Sequence, residues 1–435
     1  MRGDSLANPP KRVIRERLHW LPDPMTQGEC SQKDDNIILN PTISTFHFTL
    51  TSLSALNSNF DCHSINIPPS PLYYLITMTQ KTMKAVRFHG QRDLRLEDVP
   101  IPELKKGQVK LKPAWVGICG SDLHEYLGGA NLCPTSPHPI TGEQVPVTFG
   151  HEFSGVVEEV GEGVTKFKKG DAVVVQPIIY DGTCGACKAG QINCCYKNGF
   201  VGLSGYGGGL SEHVVLDESF LYHLPKNIPL DIGALVEPLA VAWHAVDMAD
   251  LKGGESVLVL GGGPIGLSVI QVLKARGVKK VICSEVAEKR KEYARQFGAD
   301  YILDPTKEDV VKRCRDLCED QGVHIVFDAA GVQAGLDQAI EAVRARGLIV
   351  NIAVWEKPCS IDVNKLVFKE RKYLGIATYV NGDFEGVMDA ISSGRMKPEG
   401  MITKRIKLDE VEKEGFYALI NDKANQVKIL VEVGG

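Results

Sequence analysis

The passage that most constrains this chain is Ser256-Val-Leu-Val-Leu260, which runs straight into Gly261-Gly-Gly-Pro-Ile-Gly266 and then into an apolar helical segment. Gly261, Gly263 and Gly266 fill a G-x-G-x-x-G template in the context that gives it meaning, with a strand before and a helix after. The first glycine permits the tight turn, the second lets a pyrophosphate approach the backbone, and the third lets helix pack on strand. Free amides and the helix dipole then favour an anion at the helix N-terminus. A second strand, Lys280-Val-Ile-Cys-Ser284, ends in Glu285, about 20 residues past the last glycine, as the dinucleotide fingerprint requires. A carboxylate there accepts hydrogen bonds from ribose hydroxyls and repels a 2′-phosphate, so NAD is expected over NADP. The adjacent Lys289 and Arg290 soften that preference, and Arg290 is a candidate cofactor contact.

Around this motif the sequence alternates strand and helix, with strands expected at 256–260, 280–284, 324–328, 347–353 and 373–377. That alternation predicts a parallel doubly wound sheet. The segment before it reads differently. From Met83 to about Pro225 short alternating strands such as Lys84–Phe88 and Gln108–Lys112 are separated by Gly- and Pro-rich turns. A chain of 435 residues exceeds what one core usually supports, so two domains are expected. Residues 83–237 and 378–435 are assigned to a β-rich catalytic domain, and 238–377 to the dinucleotide domain. Residues 1–82 show no sustained period and are expected to be an extension lacking packed structure.

The net charge of −5 gives no footprint for nucleic acid or an anionic membrane. A bilayer span needs about 20 apolar residues, and the most apolar stretch, Val257 to Leu273, is short and broken by Gly263-Pro264. Among the twelve cysteines, several sit at metal-ligand spacing, which favours a reducing compartment and a cytoplasmic location. Cys283, Cys314, Cys318 and Cys359 read as small buried hydrophobes.

Candidate metal ligands lie far apart: Cys119 in Gly117-Ile-Cys-Gly-Ser-Asp122, His151 in Gly150-His-Glu152, and Glu237 in Leu235-Val-Glu-Pro238. Catalytic zinc takes three such ligands and keeps one position open. Scattered residues cannot be joined by spacing, so the residues alone leave this triad beside a purely structural reading of each member. The order of these motifs, with a cysteine lobe between them and the glycine turn, resembles the zinc-dependent medium-chain alcohol/polyol dehydrogenase family from Met83 to the C-terminus. Ile118–Gly129, Gly150–Gly155, Leu235–Val241 and Gln426–Val431 are most similar to its (R,R)-butanediol dehydrogenase branch.

That resemblance implies an α/β protein made of a GroES-like irregular β-barrel catalytic domain and a Rossmann NAD-binding domain. It implies that Cys119, His151 and Glu237 bind catalytic zinc, with Glu152 beside the metal or exchanging into its shell. Ser121 and His124 would relay a proton toward solvent, and Asp122 would hold the tautomer of His151. Asp181, Cys184, Cys187 and Cys195 line up with the structural-zinc pattern, aspartate replacing the first cysteine, so a second zinc is expected there beside the alternative of a metal-free thiol loop. The implied activity is oxidation of a small secondary alcohol or vicinal diol, 2,3-butanediol to acetoin, by a homo-dimer or homo-tetramer. Sorbitol-type polyol dehydrogenase, L-threonine 3-dehydrogenase and a metal-free, non-catalytic nucleotide-binding relative are the alternatives.

Overall fold

A computed structural model describes residues 81–434. The expected extension therefore lies outside the described residues except for its last two. Those two already belong to the fold. Strand β1 runs Thr82–Gly90, starting two residues before the expected Lys84, and the Lys81 carbonyl accepts from the Ile101 amide at 3.0 Å.

The first half is an irregular β-barrel. Strands β1, β2 (Asp93–Pro100) and β4 (Val147–Thr148) form a small antiparallel sheet in the order β2-β1-β4. The main sheet is built around β3 (Gln108–Gly117), which pairs along its length with β5 (Glu152–Val160). Strands β6 (Ala172–Val175) and β8 (Leu221–His223) continue outward from β5, and β7 (Val214–Asp217) pairs with the first part of β3. Its interior is aromatic: Phe88 stacks on Phe149 at 4.8 Å, Phe149 on Phe416 at 6.3 Å, and Tyr126 meets Phe416 edge-on at 5.2 Å. Tyr126 lies on helix α1 (Gly120–Gly128), so this core also anchors the helix that follows Cys119.

The second half is a six-stranded, wholly parallel sheet. Its order is β11 (Tyr301–Leu303), β10 (Lys280–Ser284), β9 (Ser256–Leu260), β12 (Val323–Asp328), β13 (Val343–Asn351) and β14 (Lys372–Gly375). Five of these strands lie where the sequence places them. The short β11 was not foreseen, because three residues are too few to show a period. In β9 every residue is buried, since helices cover both faces. Val257 and Val259 pack with α2 (Val236–Met248) and α3 (Pro264–Ala275), whereas Leu258 and Leu260 face the layer of α5 (Val310–Leu317) and α6 (Gln333–Ala342). Each such side chain contributes about 1.5–3 kcal/mol by leaving water.

Helix α8 (Asp383–Ser392) packs through Phe384 and Val387 into the α2 and α3 layer. The chain rejoins the first sheet further on, through β15 (Ile402–Lys407) and β16 (Lys428–Glu432), the latter pairing with the end of β3. Among the described residues, no helix is long and apolar enough to cross a membrane. Cys283 and Cys314 are buried as expected, but Cys318 is only half-buried and Cys359 is exposed. Cys359 falls in the loop between β13 and α7 (Val363–Val367) rather than in an element.

Candidate catalytic metal centre

Cys119 ends the stretch from β3 into α1, His151 immediately precedes β5, the neighbour of β3, and Glu152 opens it. Strand pairing thereby joins two motifs 32 residues apart in the sequence. One ligand atom each from Cys119, His151 and Glu152 lies within 4.8 Å of the others. Asp122 Oδ2 accepts from the Cys119 amide at 2.9 Å and fixes the turn. Its Oδ1 faces His151 Nδ1 at 3.4 Å, and neither atom has another partner. The other ring nitrogen, His151 Nε2, sits 3.2 Å from Ser121 Oγ. Burial works against a charged His151, but the nearby Asp122 and Cys119 outweigh it and hold its pKa well above the ordinary value.

Glu237, the third expected ligand, comes from the other half of the chain. It lies in the first turn of α2, buried, with Oε1 accepting from the Tyr379 hydroxyl at 2.7 Å, outside the group formed by Cys119, His151 and Glu152. Its carboxyl is pushed up to about 7, mainly by burial and also by Glu152, against the pull of His151, Tyr379 and Lys428. Glu152 is instead the carboxylate within the group, and it is fully buried against Lys428 Nζ at 2.6 and 2.8 Å. Lys428 and Tyr379 are the two residues here that sequence reasoning missed. A lysine inside the apolar run Val427-Lys-Ile-Leu-Val431 was a usable signal, because a buried charge needs a partner. Tyr379 offered none.

The donor set suits a divalent cation. The thiolate of Cys119 and the carboxylates of Glu152 and Glu237 carry three negative charges when ionised, and Lys428 supplies one positive charge. That surplus of negative charge, to which Asp122 beside His151 adds, favours a divalent ion, and thiolate, imidazole and carboxylate are zinc ligands.

Ser121 and His124 are not joined by a hydrogen bond. Ser121 bonds His151, while the partly exposed His124 has Nδ1 3.7 Å from Glu356 Oε1. Glu356 lies in the loop after β13, at the carboxyl edge of the parallel sheet where open α/β folds bind ligands. Helix α1 thus faces the dinucleotide end of the second half.

At that edge, Gly261 has φ 91° and its amide donates to the Ser284 carbonyl at 2.9 Å. A Cβ on Gly266 would strike the Gly261 carbonyl. The glycines therefore do what the motif demands, and Pro264 opens α3. Glu285 accepts from the Gly262 amide at 2.6 Å and from Val286 and Ala287 at 2.7 and 2.8 Å. Its carboxylate is locked facing the turn, with one lone pair of Oε2 to spare for a ribose hydroxyl. Arg290 lies beside the same turn, its Nη2 donating to the Lys423 carbonyl at 2.5 Å and its buried Nε unpartnered.

The cysteine lobe also assembles. Asp181, Cys184, Cys187 and Cys195 bring their ligand atoms within 4.8 Å of one another. Cys184 and Cys195 sulfurs are 4.0 Å apart, close to the roughly 3.8 Å that two sulfurs about 2.3 Å from a tetrahedral zinc would span. Backbone amides of Asp181 and Lys197 point at Cys195 Sγ, each at 3.4 Å. Burial and the neighbouring Cys184 and Cys195 push the Cys187 thiol up to about 12, and a bound cation would reverse that penalty. Cys194 is exposed and lies outside the group.

Residues 105–226 match the alcohol dehydrogenase GroES-like domain, and residues 264–393 match the zinc-binding dehydrogenase family. The (R,R)-butanediol dehydrogenase of Bacillus subtilis is 46% identical over 351 residues, covering 80% of this chain and 99% of the relative. The chain belongs to the zinc-dependent medium-chain alcohol dehydrogenase family. A butanediol dehydrogenase of Neisseria gonorrhoeae is 42% identical over 352 residues, covering 80% of this chain and 99% of its own length. The crystal structure of the Bacillus subtilis 2R,3R-butanediol dehydrogenase superposes with a TM-score of 0.76 at 45% identity, over 80% of this chain and 99% of that one. This medium-chain dehydrogenase is a zinc- and NAD-dependent oxidoreductase acting on an alcohol.

Proposed function

We propose that the enzyme oxidises a vicinal diol, 2,3-butanediol, to the hydroxyketone acetoin, one hydride passing to NAD and one proton to solvent. The reading is supported by the half-buried thiol and the buried imidazole and carboxylate gathered at the start of α1 and β5, in a chain that matches diol dehydrogenases along almost their whole length. Cys119, His151 and Glu237 would hold the catalytic zinc, with Glu152 beside it. When bound, zinc supplies a Lewis acid that acidifies the alcohol.

The remaining work falls to side chains. Asp122 keeps a proton on His151 Nδ1 and leaves Nε2 free as a ligand. Ser121 takes the substrate proton as its own passes on, and His124, partly exposed in the middle of α1, delivers a proton to solvent. Because Ser121 and His124 are not in contact, the relay needs a bridging water or substrate hydroxyl. Gly261, Gly263 and Gly266 cradle the pyrophosphate, Glu285 reads the ribose, and Arg290 lies beside that end. Asp181, Cys184, Cys187 and Cys195 would hold a second, structural zinc.

The domain division at residues 237 and 378 belongs to the same reading, as do a cytoplasmic location and a homo-oligomer. Edge strand β14 and the exposed Val363, Val367 and Phe368 near it offer a surface for a second copy. A panel of butanediol stereoisomers, sorbitol and L-threonine, each with NAD and NADP, tests the assignment. The diol with NAD should give the highest kcat/KM, and a preference for sorbitol or threonine would refute it.

A further inference from the structure

We propose that Lys428 is a positioning residue that holds Glu152 off the catalytic metal, leaving Glu237 as third ligand and the fourth position open to the alcohol. The proposal rests on the metal-site reading above and adds a division of labour between its two carboxylates.

Geometry carries it. Glu152 has an oxygen close enough to Cys119 and His151 to share an ion with them, so nothing in its position prevents ligation. Yet both its oxygens are taken by Lys428 Nζ, at 2.6 and 2.8 Å. The third proton of that ammonium goes to the Ile118 carbonyl at 3.3 Å, which exhausts the donors of a lysine. Glu152 and Lys428 are 0% and 2% exposed, so water cannot substitute for either partner.

The slot for the carboxylate is prepared by Gly117, which stands opposite Glu152 in the β3–β5 pairing; a Cβ there would collide with Glu152 Oε2. Strand β16 delivers Lys428 from the other side, its Leu430 pairing with the same Gly117. Glu237 has a lighter restraint, one hydrogen bond from Tyr379 to Oε1, which leaves Oε2 unengaged. Removing the ammonium would leave Glu152 buried and unpaired, which is strongly unfavourable. The metal is then the nearest cation it can reach.

The test uses the full chain with cobalt in place of zinc, the lobe's share of the spectrum being subtracted with Cys119→Ser. In Lys428→Met, Glu152 should enter the shell, so the d–d bands weaken toward the five-coordinate pattern and kcat/KM for the diol falls about 10–100-fold. Adding Glu152→Gln to that variant should restore the parent's spectrum, which a merely structural lysine would not do. Glu152→Gln alone should keep the parent's spectrum, and this holds the idea open to refutation if Lys428→Met fails to fold. An unchanged spectrum in Lys428→Met, or a changed one in Glu152→Gln, overturns the proposal. If the parent lacks a thiolate-to-cobalt charge-transfer band after subtraction, the metal-site reading fails as well.

Discussion

The two candidate metal sites contrast in how they are built. The lobe draws all four ligands from residues 181–195, on one loop, and its hydrogen bonds are mostly from its own backbone. The candidate catalytic centre gathers Cys119, His151 and Glu152 from two separated segments, with Glu237 proposed from a third, and the partners of its carboxylates, Tyr379 and Lys428, come from two more. A local site depends on a loop, whereas the dispersed one depends on the register of β3, β5 and β16. The lobe should therefore affect stability, and the dispersed centre chemistry.

The sharpest way to break that contrast is Cys119→Ser. Losing a Lewis acid worth several kcal/mol should lower kcat by about 10³-fold or more. Zinc analysis should show one metal lost per chain with NAD binding retained; retained turnover would remove Cys119 from the ligand set. Next in size is Cys195→Ser, expected to release the other zinc and lower the melting temperature by several degrees, about 1–3 kcal/mol of stability. Its kcat/KM should stay within about threefold of the parent, and a collapse of activity at full folding would erase the distinction between the two sites.

Glu285→Ala probes a third region, dispersed in neither sense. Loss of hydrogen bonds to a charged acceptor, about 1.5–3 kcal/mol in all, should shift the NAD to NADP preference about tenfold or more toward NADP. An unchanged ratio of kcat/KM values would reassign ribose recognition to another residue. The smallest effect is expected from deleting residues 1–80, which contribute to neither site on the present reading. Specific activity should match the full chain, and a dead or insoluble truncation would overturn that view.

Much of the fold was legible because parallel strands buried on both faces read as continuous apolar runs, as Ser256–Leu260 does. The glycine turn was legible because Gly261 and Gly266 are demanded by local geometry. The lobe was expected from the family's ligand pattern, and its four residues do gather, since they lie within 15 residues of one another. Legibility failed wherever function depends on a partner distant in sequence. Glu237 could be named from its own motif, but the hydrogen bond it accepts from Tyr379, 142 residues away, could not. The relay partners Ser121 and His124 share one helix but face different neighbours, His151 and Glu356.

The sequence by itself determined which residue types were present for zinc and dinucleotide chemistry, the alternation of β-rich and parallel α/β halves, and the phosphate turn. These follow from short-range rules of period, backbone freedom and ligand spacing. Only the tertiary structure decided that Lys428 reaches both oxygens of Glu152 and that Tyr379 engages Glu237. Those choices depend on strand register and burial, where a buried charge takes whichever partner the folded chain brings within reach.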